Sequence, residues 1–538
     1  MCFLKIILNI KIVPTFTISD LRKMKIQYFG HASIYLESNG ISVVTDPWFS
    51  KDGAFLSTWF QFPDNTDLDL EKIRNVDYVV ISHEHLDHLD PKFLKTINPK
   101  TKVLIPKYTD SYLYEKLTEN IPNEVIVCNS MQKVPLNDKV TFCPVVQSVP
   151  IWDDCTLVFE TPEGTIVDVN DMKITDKDLE WIKQHFTIDY LFMQFSGANW
   201  HPLVYDYSDE EKARLAKHKI FTKFRNVKQK FELSGAKYLI PSAGPPCFLD
   251  DQFFELNFSD QSIFPDQSQF YKYAKEEGFG DKTVILLPGD YFEPDKDCKA
   301  VSENNLKNEV FTNKRAYLEK YRERRKDVIK QTLSKIEDPQ TSLLEKAKEY
   351  FTPLIASSKY FQEKISGCVL FDVNGKYPEK ILVNFGNENE PVKKFEGEDH
   401  FYTFKVSSGI LNLVLEKKLS WEQLLLSLRF KATRNPDVFN EFLVVFLRFA
   451  DPASYKQYEL FEKRKDVSDT FILNHCDKQY RVQKYCPHAM GDLSKGEIKD
   501  NCIVCPNHGW TFSLESGECL NNKASITVKE LQKEENLA

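Results

Sequence analysis

The sequence has no run of eighteen or more apolar residues, which excludes a transmembrane helix. Its 538 residues include only 12 cysteines, too few and too scattered for a disulfide framework. The formal net charge of −9 provides no overall basic surface for nucleic acid, and neither common Gly-rich phosphate-binding loop is present. We therefore predict a cytoplasmic protein that uses a small-molecule substrate and does not bind nucleic acid.

The chain is too long for one hydrophobic core, and its patterns predict several domains. We predict a disordered leader at 1–23, an α/β domain at 24–298, a helical segment at 299–360, a small α+β unit at 361–455 and a small all-β domain at 456–538. In the α/β domain, runs such as KIQYFG, DYVVISH and TVILLPGD predict strands, and residues 209–235 predict a helix.

Two cysteines and two histidines in the C-terminal domain have the spacing of a metal site. The pattern is Cys-x-His, sixteen residues, then Cys-x-x-His, with Cys486, His488, Cys505 and His508 as candidate ligands. It fits a [2Fe–2S] cluster in which histidines replace cysteines on one iron, and a zinc site is the alternative. Nearby glycines and Trp510 favour the cluster, because tight loops must wrap it and an aromatic ring can shield it.

This segment resembles Rieske domains. Respiratory-complex members of that family carry two further cysteines, and the matching positions here are Gly491 and Asn507. The resemblance therefore implies the oxygenase and ferredoxin type, which delivers single electrons. It also implies an electron donor, namely a ferredoxin, a flavoprotein reductase or a b-type cytochrome.

A second metal motif, SHEHLDHLD, follows a predicted strand near the N-terminus. Three histidines and one aspartate lie within six residues, as His83, His85, Asp87 and His88. Side chains at a strand end and in the turn after it can converge on one point, and these residue types are metal ligands. The spacing predicts a metal site.

The motif resembles that of the metallo-β-lactamase fold, which implies an αββα sandwich. In that family His83 and His85 would bind one metal ion, and Asp87 and His88 a second. FGHAS with His31 and VVTDPW with Asp46 are similar to the branch that contains ascorbate-6-phosphate lactonases and an N-acylethanolamine-phospholipid phospholipase D. There Asp46 would support a ligand histidine, Asp171 would bridge the metals, and His31 and Asp171 would be catalytic.

Three positions depart from the hydrolase pattern. Asn170 stands where glycine is usual, and two further histidines of the family have no counterpart in VVQSVPIWDDCTLVFE or YLIPSAGPPCFLDD. The remaining ligands favour an altered iron site, mononuclear or asymmetric, with zinc as the alternative. His185 and His201 are spare candidates.

The two motifs together, with QFSGA, PSAGPPCFL and SWEQLLLSLRF, resemble the CMP-N-acetylneuraminate hydroxylase family, although its Rieske domain is N-terminal. The resemblance implies a Rieske-dependent monooxygenase with a nucleotide-sugar-like substrate. One alternative is a metal-dependent hydrolase of a phosphodiester or lactone, with the Rieske domain as a redox sensor or docking module. Another is an electron carrier whose N-terminal domain binds a partner.

Overall fold

The computed structural model describes residues 24–147, 153–292, 301, 308–464, 468–488, 490–506 and 509–531. The leader predicted at 1–23 and the predicted cluster ligand His508 lie outside these residues. No helix in these ranges is long and apolar enough to cross a membrane.

Two β-sheets form the N-terminal domain. Its strands, β1 to β13 in chain order, are Lys25–Gly30, Ser33–Ser38, Ile41–Thr45, Tyr78–Val80, Lys102–Pro106, Val125–Cys128, Val134–Pro135, Thr141–Val146, Cys155–Thr161, Gly164–Asp168, Tyr190–Gln194, Tyr238–Ser242 and Tyr291–Phe292. One sheet has the order β13-β1-β2-β3-β4-β5-β6 and the other β12-β11-β10-β9-β8-β7. Strands β3 to β6 are parallel, as are β10 to β12. Ligands bind at the carboxyl ends of such strands, and the motif residues follow β3, β4 and β10.

Helices cover the outer faces of both sheets. Helices α1 to α6 are Glu71–Arg74, Pro91–Leu94, Tyr112–Asn120, Asp176–His185, Asp209–Ser234 and Gln267–Glu276. One buried cluster, with Ile26 and Leu104 of one sheet and Phe142 and Ile240 of the other, fills the space between the sheets. Two further clusters join α1–α3 to one sheet and α4–α6 to the other. The predicted αββα sandwich is confirmed.

The strand predicted from TVILLPGD is wrong. Thr283 forms only an isolated bridge with Leu239, and the residues after it join no sheet. Leu286 and Leu287 are nevertheless fully buried. The run is apolar because Leu286 belongs to the buried cluster between the two sheets, and not because the run extends a sheet.

Helices and a third sheet form the central part of the chain. Helices α7 to α13 are Lys314–Leu333, Leu344–Ala356, Lys359–Ile365, Ser408–Leu415, Trp421–Leu426, Glu441–Phe449 and Pro452–Arg464. Strands β14 to β18 are Cys368–Asn374, Glu379–Asn384, Val392–Lys394, Tyr402–Ser407 and Phe430–Arg434, in the order β16-β15-β14-β17-β18. A single buried cluster joins Phe404 and Trp421 of this α+β unit to Trp48, Phe55 and Trp59 of the N-terminal domain. Apolar packing thus fixes the unit against the loops that hold the histidine motif.

The C-terminal domain is a small β-structure that folds back on the rest of its own chain. Strands β19 to β24 are Thr470–His475, Lys478–Gln483, Glu497–Lys499, Cys502–Val504, Thr511–Ser513 and Val528–Leu531, in two three-stranded sheets. Lys495 pairs with Asp176 at the start of α4, and Arg225 of α5 lies 3.9 Å from Glu497. Phe439 forms an isolated bridge with Asn522. The sequence alone does not predict this arrangement.

Candidate functional site

The histidine motif lies in the loop after β4. The backbone N–H groups of His88 and Leu89 both donate to the carbonyl of His85, at 3.0 and 2.7 Å. This turn brings Nε2 of His83 within 2.8 Å of Nδ1 of His85, and the His83 and His88 ring centroids lie 4.2 Å apart. The predicted convergence of the motif is present.

A first group of candidate metal ligands surrounds His83 and His85. Their ligand atoms and that of Asp171 lie within 4.8 Å of one another. Asp154 Oδ1 lies 3.8 Å from His83 Nε2, and Glu422 Oε2 lies 3.0 Å from His85 Nε2. Atoms that bind one ion at about 2.1 Å lie roughly 3–4 Å apart, so this group fits a metal ion.

A second group surrounds His88. Its Nε2 lies 3.6 Å from Asp171 Oδ1 and 3.8 Å from Asp87 Oδ2, and this buried nitrogen has no hydrogen-bond partner among the described residues. His31 is buried and reaches the group through Asp87, with Nε2 3.1 Å from Oδ2. A buried nitrogen aimed between two carboxylates fits a metal ion, and Asp171 borders both groups.

Asp46 holds this loop in place through hydrogen bonds to Ser82 and His88. Its carboxylate accepts hydrogen bonds from Ser82 N at 2.7 Å and Ser82 Oγ at 2.6 Å, and lies 3.0 Å from His88 Nδ1. The contact predicted for Asp46 with a ligand histidine is therefore present. Holding Nδ1 leaves Nε2 of His88 to face the group of carboxylates.

Asn170 also holds Asp46 and Ser82 in place. Its amide donates to Asp46 and, at 3.0 Å, to Ser82 Oγ. Its φ of 57° lies in the left-handed region, which asparagine tolerates better than most residues other than glycine. Asparagine can therefore take the backbone shape of the usual glycine and add a donor.

Asp171 has its own support from the neighbouring strand and helix. Gln194, at the end of β11, donates from Nε2 to Asp171 Oδ1 at 2.6 Å. Lys223 of α5 in turn donates from Nζ to Gln194 Oε1 at 2.6 Å. This chain of hydrogen bonds fixes the orientation of the carboxylate that both groups share.

The site concentrates buried charge. Burial lowers the pKa of His83, and it raises the pKa of Asp154. For His88, burial acts against protonation, but the nearby Asp171 and Asp87 outweigh it and raise the pKa. Burial likewise opposes ionisation of Glu422, but Arg448 and then His85 lower its pKa to about 2. A bound divalent ion would favour deprotonated histidines and carboxylates together.

Sequence reasoning missed Asp154 and Glu422. Asp154 lies just before β9, in the segment where the predicted pattern lacked a histidine, and the Asp-Asp doublet there was the available signal. Glu422 is in the first turn of α11, in the α+β unit for which no chemistry was predicted. A carboxylate brought from another unit leaves no local pattern near the histidine motif.

The two spare histidines do not join these groups. His185 is exposed, its Nδ1 2.8 Å from the Trp181 carbonyl. His201 packs against Tyr205, and burial lowers its pKa to about 2. Within the part of the chain that the structure describes, neither belongs to a candidate metal group.

The C-terminal motif forms a second candidate site. Cys486 and Cys505 are buried thiols that contact each other and form no disulfide. The His488 ring is stacked on Trp510, with centroids 4.4 Å apart and planes at 4°. Gly509, four residues after Cys505, has a φ of 71°, and its N–H closes the tight loop onto the Cys505 carbonyl at 2.9 Å. Two facing thiols beside an imidazole fit the predicted cluster.

Helix α12 connects the two sites. Glu441 at its start lies 3.6 Å from His488 Nε2, and Arg448 near its end pairs with Glu422 at 2.9 Å. Since Glu422 also contacts His85, one helix contacts a candidate ligand residue of each site through its two ends. Seven residues of α-helix span roughly 10 Å.

One cavity of about 610 Å³ faces both sites. Its wall includes His85, Asp154 and Asp171 of the histidine site, and His488 and Trp510 of the C-terminal domain. This volume is in the range of small-molecule sites. A bound molecule would therefore touch the candidate metal site and lie beside the edge of the candidate cluster.

Family models match three parts of the chain. They describe a beta-lactamase superfamily domain at residues 25–154, an Rv3818-like, SCP2-like domain at 343–461 and a Rieske [2Fe-2S] domain at 450–532. The chain is 29% identical over 531 residues to a protein of Mycolicibacterium smegmatis named as a Rieske 2Fe-2S iron-sulfur protein, covering 93% of this chain and 98% of that protein. A Mycobacterium tuberculosis protein of the same name is 28% identical over 528 residues, covering 92% of this chain and 98% of that protein.

Among solved structures, CmlA, a diiron beta-hydroxylase from Streptomyces venezuelae, is similar at a TM-score of 0.34 and 14% identity, over 51% of this chain and 54% of that chain. The family models and the relatives show that the chain joins a metallo-β-lactamase-like N-terminal domain to a C-terminal Rieske [2Fe–2S] domain. It is a Rieske-associated metalloenzyme.

Proposed function

We propose that the protein is a monooxygenase in which the Rieske domain supplies electrons to iron held in the N-terminal domain. The overall reaction would be R–H + O₂ + 2 e⁻ + 2 H⁺ → R–OH + H₂O. The observation that carries the proposal is the single cavity whose wall includes candidate ligands of both sites. A hydrolase has no use for electrons beside its substrate, whereas an oxygenase requires them there.

Two groups of candidate ligands, both bordered by Asp171, would hold the iron. His83, His85 and Asp154 would hold one ion, and His88 and Asp87 the other, with Glu422 beside His85. Carboxylates in place of the family's further histidines favour iron over zinc, because hard oxygen ligands suit iron in oxygen-activating sites. Iron at this place would supply dioxygen activation, and the cluster would supply one electron at a time.

The chain's own residues would then position and insulate these groups. Gln194 orients Asp171, Asp46 orients His88, and Arg448 holds Glu422 beside His85. His31 is a positioning residue in this account, because it contacts Asp87 and is buried. The apolar wall of the cavity, including Phe55 and Trp59, would exclude water from the reacting centre.

Helix α12 supports electron transfer within one chain. Its contacts run from His488 through Glu441 and Arg448 to Glu422, so the proposed cluster and iron site would lie near opposite ends of one short helix. The external donor would be a ferredoxin, a flavoprotein reductase or a b-type cytochrome, which must reach the C-terminal domain from outside.

The test is the reoxidation of the reduced cluster by dioxygen. Protein reduced anaerobically is mixed with oxygenated buffer, and the cluster's visible absorption is followed by stopped flow. We expect Asp154→Ala to lose iron from the N-terminal site and to slow reoxidation, while acid-labile sulfide stays at the wild-type level. Asp153→Asn is the matched control, since Asp154 lies 3.8 Å from His83 whereas Asp153 forms no ion pair with a motif histidine among the described residues.

Equal reoxidation rates in wild type and Asp154→Ala would contradict the proposal. Zinc in the N-terminal site would instead favour a metal-dependent hydrolase of a phosphodiester or lactone, in which the metals generate hydroxide.

A further inference from the structure

Two lysines of α5 line the cavity beside the candidate metal site. Lys219 and Lys223 are one helical turn apart, so their side chains lie on the same face of the helix. Lys223 is two hydrogen bonds from Asp171, through Gln194. Both ammonium groups thus lie along the wall that leads to the reacting centre.

Both lysines bind only neutral oxygens in the described part of the chain. Lys219 Nζ donates to Asn199 Oδ1 at 3.1 Å and to the His201 carbonyl at 2.9 Å, and Lys223 Nζ donates to Gln194 Oε1 at 2.6 Å. Burial lowers the pKa of Lys219 to about 7 and that of Lys223 to about 8. Both side chains are partly buried, and no described carboxylate forms an ion pair with either ammonium group, although the charges of Asp171 and Asp154 favour the protonated form of Lys223.

The arginines that line the same cavity, in contrast, each form an ion pair with a carboxylate. Arg214 pairs with Glu211 at 2.6 Å, Arg434 with Asp437 at 2.7 Å and Arg448 with Glu422 at 2.9 Å. These three cations therefore each have a carboxylate partner, whereas Lys219 and Lys223 line the same cavity without an ion-pair partner among the described residues.

We infer that Lys219 and Lys223 form an anion-binding subsite for the substrate, which carries a carboxylate or a phosphate group. The claim that this anion is the substrate rests on the proposed function, whereas the claim that the subsite binds an anion does not. Two ammonium groups one turn apart can share the oxygens of one such group. The rest of the molecule would lie against Trp200 and Met193, with its reacting atom toward Asp171.

The experiment measures direct binding of two simple probes, inorganic pyrophosphate and benzoate, to the holoenzyme by anaerobic calorimetry. Lys219→Gln and Lys223→Gln remove the charge but keep an amide that can donate to the same neutral oxygens. Lys217→Gln is the matched control, because Lys217 is exposed on the same helix. Loss of one charge-assisted hydrogen bond predicts that affinity falls about tenfold or more in each cavity variant.

We expect at least one probe to bind wild type and the control alike, and to bind both cavity variants more weakly. Lys219→Arg, which keeps the charge, should retain binding. Tighter binding of pyrophosphate identifies a phosphate-bearing substrate, and tighter binding of benzoate a carboxylate. Absence of binding by both probes, or equal affinity in all variants, would overturn the inference.

The outcomes separate this inference from the proposed function. If probe binding depends on the two lysines but the N-terminal site holds only zinc, the anion-binding subsite is supported and the monooxygenase function is contradicted. If the N-terminal site holds iron but probe binding does not depend on the lysines, the monooxygenase function is supported and the anion-binding subsite is contradicted. Lys219→Met and Lys223→Met repeat the test if Lys219→Gln or Lys223→Gln fails to fold.

Discussion

Substitutions of Glu422 can distinguish its contribution to the stability of the fold from its contribution to metal binding. Its side chain is 15% exposed and contacts both Arg448, which is 9% exposed, and His85. Replacing Glu422 by Gln leaves Arg448 buried without this partner, a loss that typically costs 3–5 kcal/mol. Arg448 also lies near the charges of Glu84 and Asp154, so we expect a cost of about 3 kcal/mol, at the lower end.

The second variant, Glu422→Gln with Arg448→Met, also removes the charge of Arg448. Replacing both partners of a buried pair with groups of similar size is often neutral, so most of the lost stability should return. If Glu422 also supports the metal site, the double variant should still contain less iron than wild type. Stability is measured by urea unfolding, and iron by elemental analysis relative to acid-labile sulfide.

Glu416→Gln is the control for this prediction. Glu416 pairs with Lys346 in the same unit, but both side chains are partly exposed, at 28% and 36%. Such a pair contributes about 0–1 kcal/mol, and its loss should leave iron unchanged. Wild-type iron content in both Glu422 variants would refute a role of this residue at the metal site.

Three further predictions concern other contacts. Asp46→Ala should lower the metal affinity of the N-terminal site about 10–100-fold, because it frees the His88 ring, and metal retention after chelator treatment measures this. Asp176→Asn should loosen the C-terminal domain, seen as faster hydrogen exchange around Lys495. Burial alone would raise the pKa of Asp176, but Lys230 and Lys495 outweigh burial and lower this pKa. The contact between Asp176 and Lys495 should therefore persist above pH about 4 and be lost as pH falls further. Probe binding at Lys219 should weaken as pH rises through about 7, where the ammonium loses its proton, and calorimetry between pH 6 and 9 checks it.

The parts of the site that sequence could predict are those built from neighbouring residues. The motif around His83 and the aspartate after β10 each follow a strand, and strand order alone places them at the same edge. The cluster motif was similarly recognisable, because Cys486 and His488 belong to one tight loop and Cys505 to the next.

The remaining parts depend on how separate units pack. Glu422 comes from α11 of the α+β unit and reaches His85 only because apolar residues of that unit pack on the N-terminal domain. Lys219 and Lys223 lie within a helix whose sequence reads as an ordinary charged surface. The position of the C-terminal domain depends on contacts such as Lys495 with Asp176, which carry no sequence signature.

We predict a second iron site beside the Rieske cluster. Iron, zinc and acid-labile sulfide should be measured in anaerobically purified wild type and in Cys486→Ser, which loses the cluster. We expect the variant to contain no sulfide and about two irons per chain, held by the histidine motif. A variant that contains only zinc, or no metal, would contradict it.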